Sequence, residues 1–222
     1  MHTTRNAIQA TPATIAGVEI PDSRIAREAT ELLREVSTQL LYDHSRRVFL
    51  WGALQGANRG LRVDPELFYV AAMFHDLGLV AGHRSANERF EIDGANEARR
   101  FLEQRGVPEA SVTTVWEAIA LHTTPEIPRY KQPEVALVQA GVELDVLGQG
   151  FSEVPAAARE DVLAAHPRAG FKEGIVDAFA DGMRFKPGTT FGTMNTDILE
   201  ARMPGYVRPN FCDLIANSPF RE

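Results

Sequence analysis

The stretch Leu67-Phe68-Tyr69-Val70-Ala71-Ala72-Met73-Phe74-His75-Asp76-Leu77-Gly78 decides how the rest of this chain is read. Asp64-Pro65-Glu66 just before it supplies a cap and a proline at the first helical position, so the apolar run that follows is predicted to be a buried helix. That helix delivers His75 and Asp76 side by side and breaks at Gly78. Removing a carboxylate from water is costly unless a proton, a cation or a metal compensates. The pair therefore calls for partners elsewhere in the chain.

Working outward, three further helices carry inward polar groups. From about Thr38 to Asn58, Leu41, His44, Val48 and Trp51 recur at helical spacing, which places His44 on the apolar face. From Pro108 to His122, Val112, Val115, Ile119 and His122 share one face, so His122 ends an apolar stripe much as His75 does. From Glu134 to Leu147, Val135, Val138 and Val142 lead to Asp145. Helices are also expected at about Ser23–Val36, Ala95–Gln104, Pro155–Ala165 and Ala169–Phe185, with a polar loop from Leu79 to Gly94. No convincing pair of strands appears. The expected fold is all-α: an N-terminal arm over 1–20, a helical bundle over 21–186, and an irregular C-terminal extension over 187–222 packed on the same domain.

Composition narrows the function classes. With 222 residues and a net charge of -7, the chain can bury one sizeable core and has no basic footprint for nucleic acid or an anionic membrane. Cys212 is the only cysteine, which excludes an internal disulfide and favours a reducing, cytoplasmic setting. Met1 to Gln9 lacks the apolar core of a signal peptide, and no run approaches the roughly 18 apolar residues of a membrane span. The expected partner is a small-molecule substrate, without nucleic acid or membrane; a homo-oligomer stays open.

Taken singly, each inward histidine is explained as a hydrogen-bonded core residue, and Asp145 as a helix cap or the partner of an arginine. The set changes that. His44, His75, Asp76, His122 and Asp145 sit on four helices, none beside an obvious inward Lys or Arg, and two buried carboxylates would repel where a divalent ion would hold both ionised. Imidazole and carboxylate donors suit Zn, Fe(II), Mn, Co or Ni, and the lack of a thiolate cluster argues against a structural zinc site. His2 and His166 have no companion at ligand spacing, and Trp51 and Trp116 read as core aromatics.

The order His44, then His75-Asp76 within Met-Phe-His-Asp-Leu-Gly, then His122, then Asp145 resembles the HD-domain superfamily of mostly helical, metal-dependent enzymes, over about residues 25–185. Within it, Leu40-Leu41-Tyr42-Asp43-His44-Ser45-Arg46-Arg47-Val48, the Arg89-Phe90-Glu91 segment and the Thr-rich tail are most similar to the cyanamide hydratase family, which adds water to a small nitrile to give urea. The resemblance implies His44, His75, Asp76 and Asp145 as ligands of one divalent ion, zinc first among the candidates, with His122 beside them. Leu79 follows Gly78 where many phosphodiester-cleaving HD proteins carry a lysine, which weakens a phosphohydrolase reading. His83 as a ligand for a second ion is weighed against a solvated surface histidine.

The resemblance implies hydration through a metal-bound hydroxide, with Asp76 and His122 as catalytic groups and His122 as proton shuttle, because an imidazole with a pKa near 6.5 takes and gives protons at neutral pH. Glu88, Arg89 and Glu91, and in the tail Thr193 and Asn195, are candidates to orient a ligand or the substrate, against the reading of solvated polar segments. The rival is a metal-dependent phosphohydrolase acting on a nucleotide or small phosphate ester, which needs cations converging on phosphate; Arg46, Arg47, Arg84 and Arg89 could supply them. A metal-stabilised binding domain without catalysis is the third reading.

Overall fold

Asp64 accepts hydrogen bonds from the backbone N–H groups of Glu66 and Leu67 and starts helix α3, Pro65–Phe74, as its sequence requires. Every residue from Phe68 to Phe74 is buried, because a helix apolar on all sides must be surrounded. In the computed structural model, which describes residues 13–220, α1 (Arg24–Val36), α2 (Gln39–Asn58), α5 (Glu109–Ala120) and α6 (Pro133–Leu147) pack around it. Between α3 and α5 comes α4, Phe90–Glu103, which packs on α5. Thr38 caps α2, through the N–H of Leu41.

Beyond this bundle, α7 (Ala156–Ala165) leads to α8 (Phe171–Met183) and α9 (Asn195–Arg202), and a short exposed helix, α10 (Phe211–Ala216), follows. Leu41, Leu79, Phe90, Phe171, Ile175, Phe179, Met183 and Leu199 form a second apolar cluster that seats α8 and α9 on the bundle. The all-α expectation holds.

Two expectations need correction. A small antiparallel hairpin, β1 (Thr14–Ile15) with β2 (Val18–Glu19), lies within the stretch read as an extended arm; two-residue strands are too short to show a period, and the signal was the Ala16-Gly17 turn, both at positive φ. The rest of that arm, through residue 12, and His2 with it, lies outside the described residues. The loop expected from Leu79 to Gly94 also ends early, since α4 begins at Phe90 and puts Glu91 and Asp93 in its first turn. No helix among the described residues is long and apolar enough to cross a membrane.

Gly78 explains how tightly the turn after α3 meets α4. A Cβ there would lie 2.0 Å from the Phe90 carbonyl oxygen and 2.9 Å from Asp93 Cβ. A Gly78→Ala variant is therefore expected to lose about 3 kcal/mol of stability, the upper part of the usual overpacking range, measured from the urea unfolding midpoint. A midpoint equal to that of the parent would show that the turn and α4 can part without cost.

Candidate metal centre

Helices α3 and α5 each end at an imidazole. A helix leaves its last carbonyls without intrahelical donors. His75 Nδ1–H donates to Ala72 O at 2.7 Å, and His122 Nδ1–H donates to Ile119 O at 2.6 Å. A carbonyl can only accept, so both rings carry their proton on Nδ1 and, when neutral, present a bare lone pair at Nε2. His44 on α2 is fixed likewise: its Nδ1–H donates to Asp145 Oδ2 at 2.7 Å.

The free Nε2 atoms converge on Asp76. His75 Nε2 lies 3.3 Å and His44 Nε2 3.5 Å from Asp76 Oδ2, and the two nitrogens are 3.2 Å apart. His122 Nε2 approaches the other oxygen, Oδ1, at 3.6 Å. All four side chains are buried, and neither Asp76 oxygen nor His122 Nε2 has a hydrogen-bond partner among the described residues. Two imidazole lone pairs facing each other beside an unsatisfied carboxylate repel unless a positive charge sits among them. Donors bound about 2.1 Å from one ion lie roughly 3.0–3.4 Å apart, close to the separations seen within the His44, His75 and Asp76 set. Among the described residues, these three form a group able to hold a metal ion.

The electrostatics are those of a strongly coupled set. Burial opposes ionisation of Asp76, but the imidazoles of His75, His122 and His44 around it hold its carboxyl well below the usual range. Burial also disfavours a charged His75, yet Asp76 beside it leaves the ring above its ordinary value. For His44 burial wins, and the ring falls below its ordinary value despite Asp145. The carbonyl ends of α3 and α5, both near the cluster, add favourable field for a cation.

Asp145, implied as a ligand, is placed elsewhere. It faces the Nδ1 side of His44, away from Asp76, and its oxygens accept from Arg47 Nε at 2.8 Å and Nη2 at 2.9 Å, from Trp51 Nε1 at 2.9 Å and from Arg168 Nη1 at 2.7 Å. Burial pushes its pKa up, but His44 and Arg47 hold the carboxyl far below the ordinary value. Asp145 is thus a positioning group that fixes the His44 tautomer and orientation. The sequence-level premise that no inward cation stands near fails at Arg47, which is fully buried three residues after His44. Its long stem packs while its guanidinium is satisfied by Asp145 and the His166 and Pro167 carbonyls.

The other candidates divide. Glu91 is buried; its Oε1 accepts from Asn195 Nδ2 at 3.0 Å and from Thr123 Oγ1, next to His122, while Oε2 has no partner. Asn195 therefore ties α9 over this side of the cluster. Thr193 turns back on the tail, donating to Thr190 O at 2.7 Å. Glu88 is exposed, and Arg89 reaches the Phe191 carbonyl at 3.3 Å. His83 faces Glu97 at 3.6 Å and is not part of the group able to hold a metal. His166, set aside from sequence, is buried and bonded through Nδ1 to Asp43 Oδ1 at 2.9 Å; its partner lies more than a hundred residues away, so spacing carried no signal.

Two aromatic rings close the centre, Phe171 against His44 with centroids 5.2 Å apart and Phe90 against His122 at 5.6 Å. No curated protein matches the chain. A family model does. Its span, residues 41–147, opens just before His44 and closes just after Asp145, so the stretch that carries the His44, His75 and Asp76 cluster is similar to an HD domain.

Proposed function

We propose that this protein is a metal-dependent hydratase that adds water to a small uncharged nitrile-type substrate, with cyanamide to urea as the reaction it fits best. The observation that carries the reading is how the nearby cations are used. Arg47 is bound to Asp145, Arg46 to Tyr69 and His166, Arg84 to Asp181, and Arg89 to the Phe191 carbonyl. Phosphate needs converging free cations, and these four arginines are engaged with protein partners. Against the imidazoles of His44 and His122 pack the rings of Phe171 and Phe90. That wall suits a compact neutral electrophile.

His44, His75 and Asp76 would hold one divalent ion, zinc being our choice ahead of Fe(II), Mn, Co or Ni, and that ion would lower the pKa of water and polarise the nitrile. The chain's own part is proton handling. His122 is locked with its proton on Nδ1, so Nε2 takes a proton as the water oxygen bonds to the nitrile carbon and a C≡N π pair moves onto nitrogen. The same Nε2 then returns the proton to that nitrogen. The resulting imidic product tautomerises to the amide, so both hydrogens of water end on product. Glu91 Oε2, buried and without a partner among the described residues, would accept from an N–H of the substrate.

The test pairs two assays, urea formation from cyanamide and phosphate release from a mononucleotide panel. Urea is expected, and a His122→Gln variant is expected to lower kcat about 10²–10⁴-fold with metal content unchanged. Phosphate release that vanishes in Asp76→Ala, with no urea formed by the parent, would overturn the proposal.

A further inference from the structure

Behind His44, on the side away from Asp76, lies a cavity of about 380 Å³ that hydration chemistry does not use. Its floor is Trp51, Leu144 and the side of Asp145, and its rim combines Leu147, Phe151 and Leu163 with Arg159, Arg168 and Lys172. Leu147, Phe151 and Leu163 are 59%, 55% and 37% exposed, a costly grouping of apolar surface beside three cations in a chain whose net charge is -7. Asp145 is the one carboxylate in the lining and already accepts from His44, Arg47, Trp51 and Arg168. The cavity thus presents an excess of positive charge over an apolar floor.

Two of the cations are held ready. The Arg159 guanidinium lies 3.9 Å over the Phe151 ring and donates through Nη1 to the Phe151 and Val154 carbonyls, with Nη2 and Nε making no hydrogen bond among the described residues. Arg168 lies 4.2 Å over the Phe171 ring and is anchored through Nη1 to Asp145. Lys172 is exposed and makes no hydrogen bond or ion pair among the described residues. Pinned guanidinium forks bind a planar carboxylate with little ordering cost, and the volume suits a small ligand.

We propose that this cavity is a second binding site, for a small amphiphilic carboxylate: the head group between Arg159, Arg168 and Lys172, the hydrocarbon over Trp51 and Leu144. It is separated from the metal cluster by Asp145 and His44, so occupancy does not require the ion. Octanoate is a suitable probe. Trp51 is one of two tryptophans and lines the cavity, so in a Trp116→Phe background its fluorescence reports on this site alone.

Octanoate is expected to change Trp51 emission saturably, in the protein as purified and after removal of metal with EDTA, whereas acetate and octan-1-ol are not. Lys172→Glu is expected to weaken octanoate at least about tenfold, since reversing one charge within a few ångström of the head group is worth that much or more even near water. Leu163→Glu, which places a like charge at the apolar end, is expected to abolish it. Absence of a saturable signal, equal binding of octan-1-ol, unchanged affinity in Lys172→Glu, or loss of binding after EDTA would each overturn the proposal; the last would place the carboxylate on the metal centre instead.

Discussion

An Asp76→Ala variant is expected to bind a divalent ion more weakly than the roughly 10–100-fold loss typical of removing a group that only orients a ligand. Asp76 is the single carboxylate among the converging donors, and both of its oxygens lack any other partner. Without it, three neutral rings bind a divalent cation with no compensating charge in a buried site. Metal content after gel filtration should fall from near one equivalent to a trace. A second readout is thermal: an ion at about a thousand times its Kd stabilises the folded parent by about 4 kcal/mol, and the variant should show none of that metal-dependent gain. A variant that retained its ion and its metal-dependent melting shift would remove Asp76 from the centre.

Asp145→Ala should damage stability even more directly. It strands Arg47, fully buried, and leaves His44 Nδ1–H and Trp51 Nε1–H without their acceptor. Breaking a buried ion pair by removing one partner costs about 3–5 kcal/mol, to be read from chemical unfolding. Metal affinity should fall as well, by about 10–100-fold, because the His44 ring loses the group that orients it. The pH dependence has a definite sign. The folded-state pKa of Asp145 is depressed, so its contribution is complete above the unfolded value of about 3.9 and disappears as pH falls below it. The gap in stability between parent and variant should therefore narrow on acidification below about pH 4 and stay constant above about pH 5. An Arg47→Met variant separates the two roles: it relieves the charge it removes but leaves Asp145 on His44, so metal binding should survive better than in Asp145→Ala. Equal loss of metal in both would argue that Asp145 acts through the ion pair alone.

Much of this was legible in the residues. The cap and proline at Asp64-Pro65, the apolar run to Phe74 and the paired ends at His75 and His122 announce α3 and α5, because periodicity and capping are local properties. The residues His44, His75, Asp76 and His122 were legible as a set for the same reason: each falls on an apolar face within its own helix. Glu91 was legible only as a polar residue; that it is buried in the first turn of α4 and bonded to Asn195 depends on a contact across 104 positions.

What local pattern cannot supply is direction and partner. Asp145 lies on the inward stripe of α6 just as a ligand would, yet it points to the far side of His44, since Arg47, Trp51 and Arg168 converge there from two other parts of the chain. Composition and spacing by themselves determined that this is an all-helical protein with a buried His/Asp cluster suited to a divalent ion. Only the tertiary structure decided that His44, His75 and Asp76 converge into a group able to hold an ion, that Asp145 instead accepts from His44, Arg47 and Trp51, and that a basic, apolar cavity lies behind it. The physical reason is that helical periodicity selects a face, while the azimuth within that face and the group that meets it are chosen by packing between segments distant in sequence.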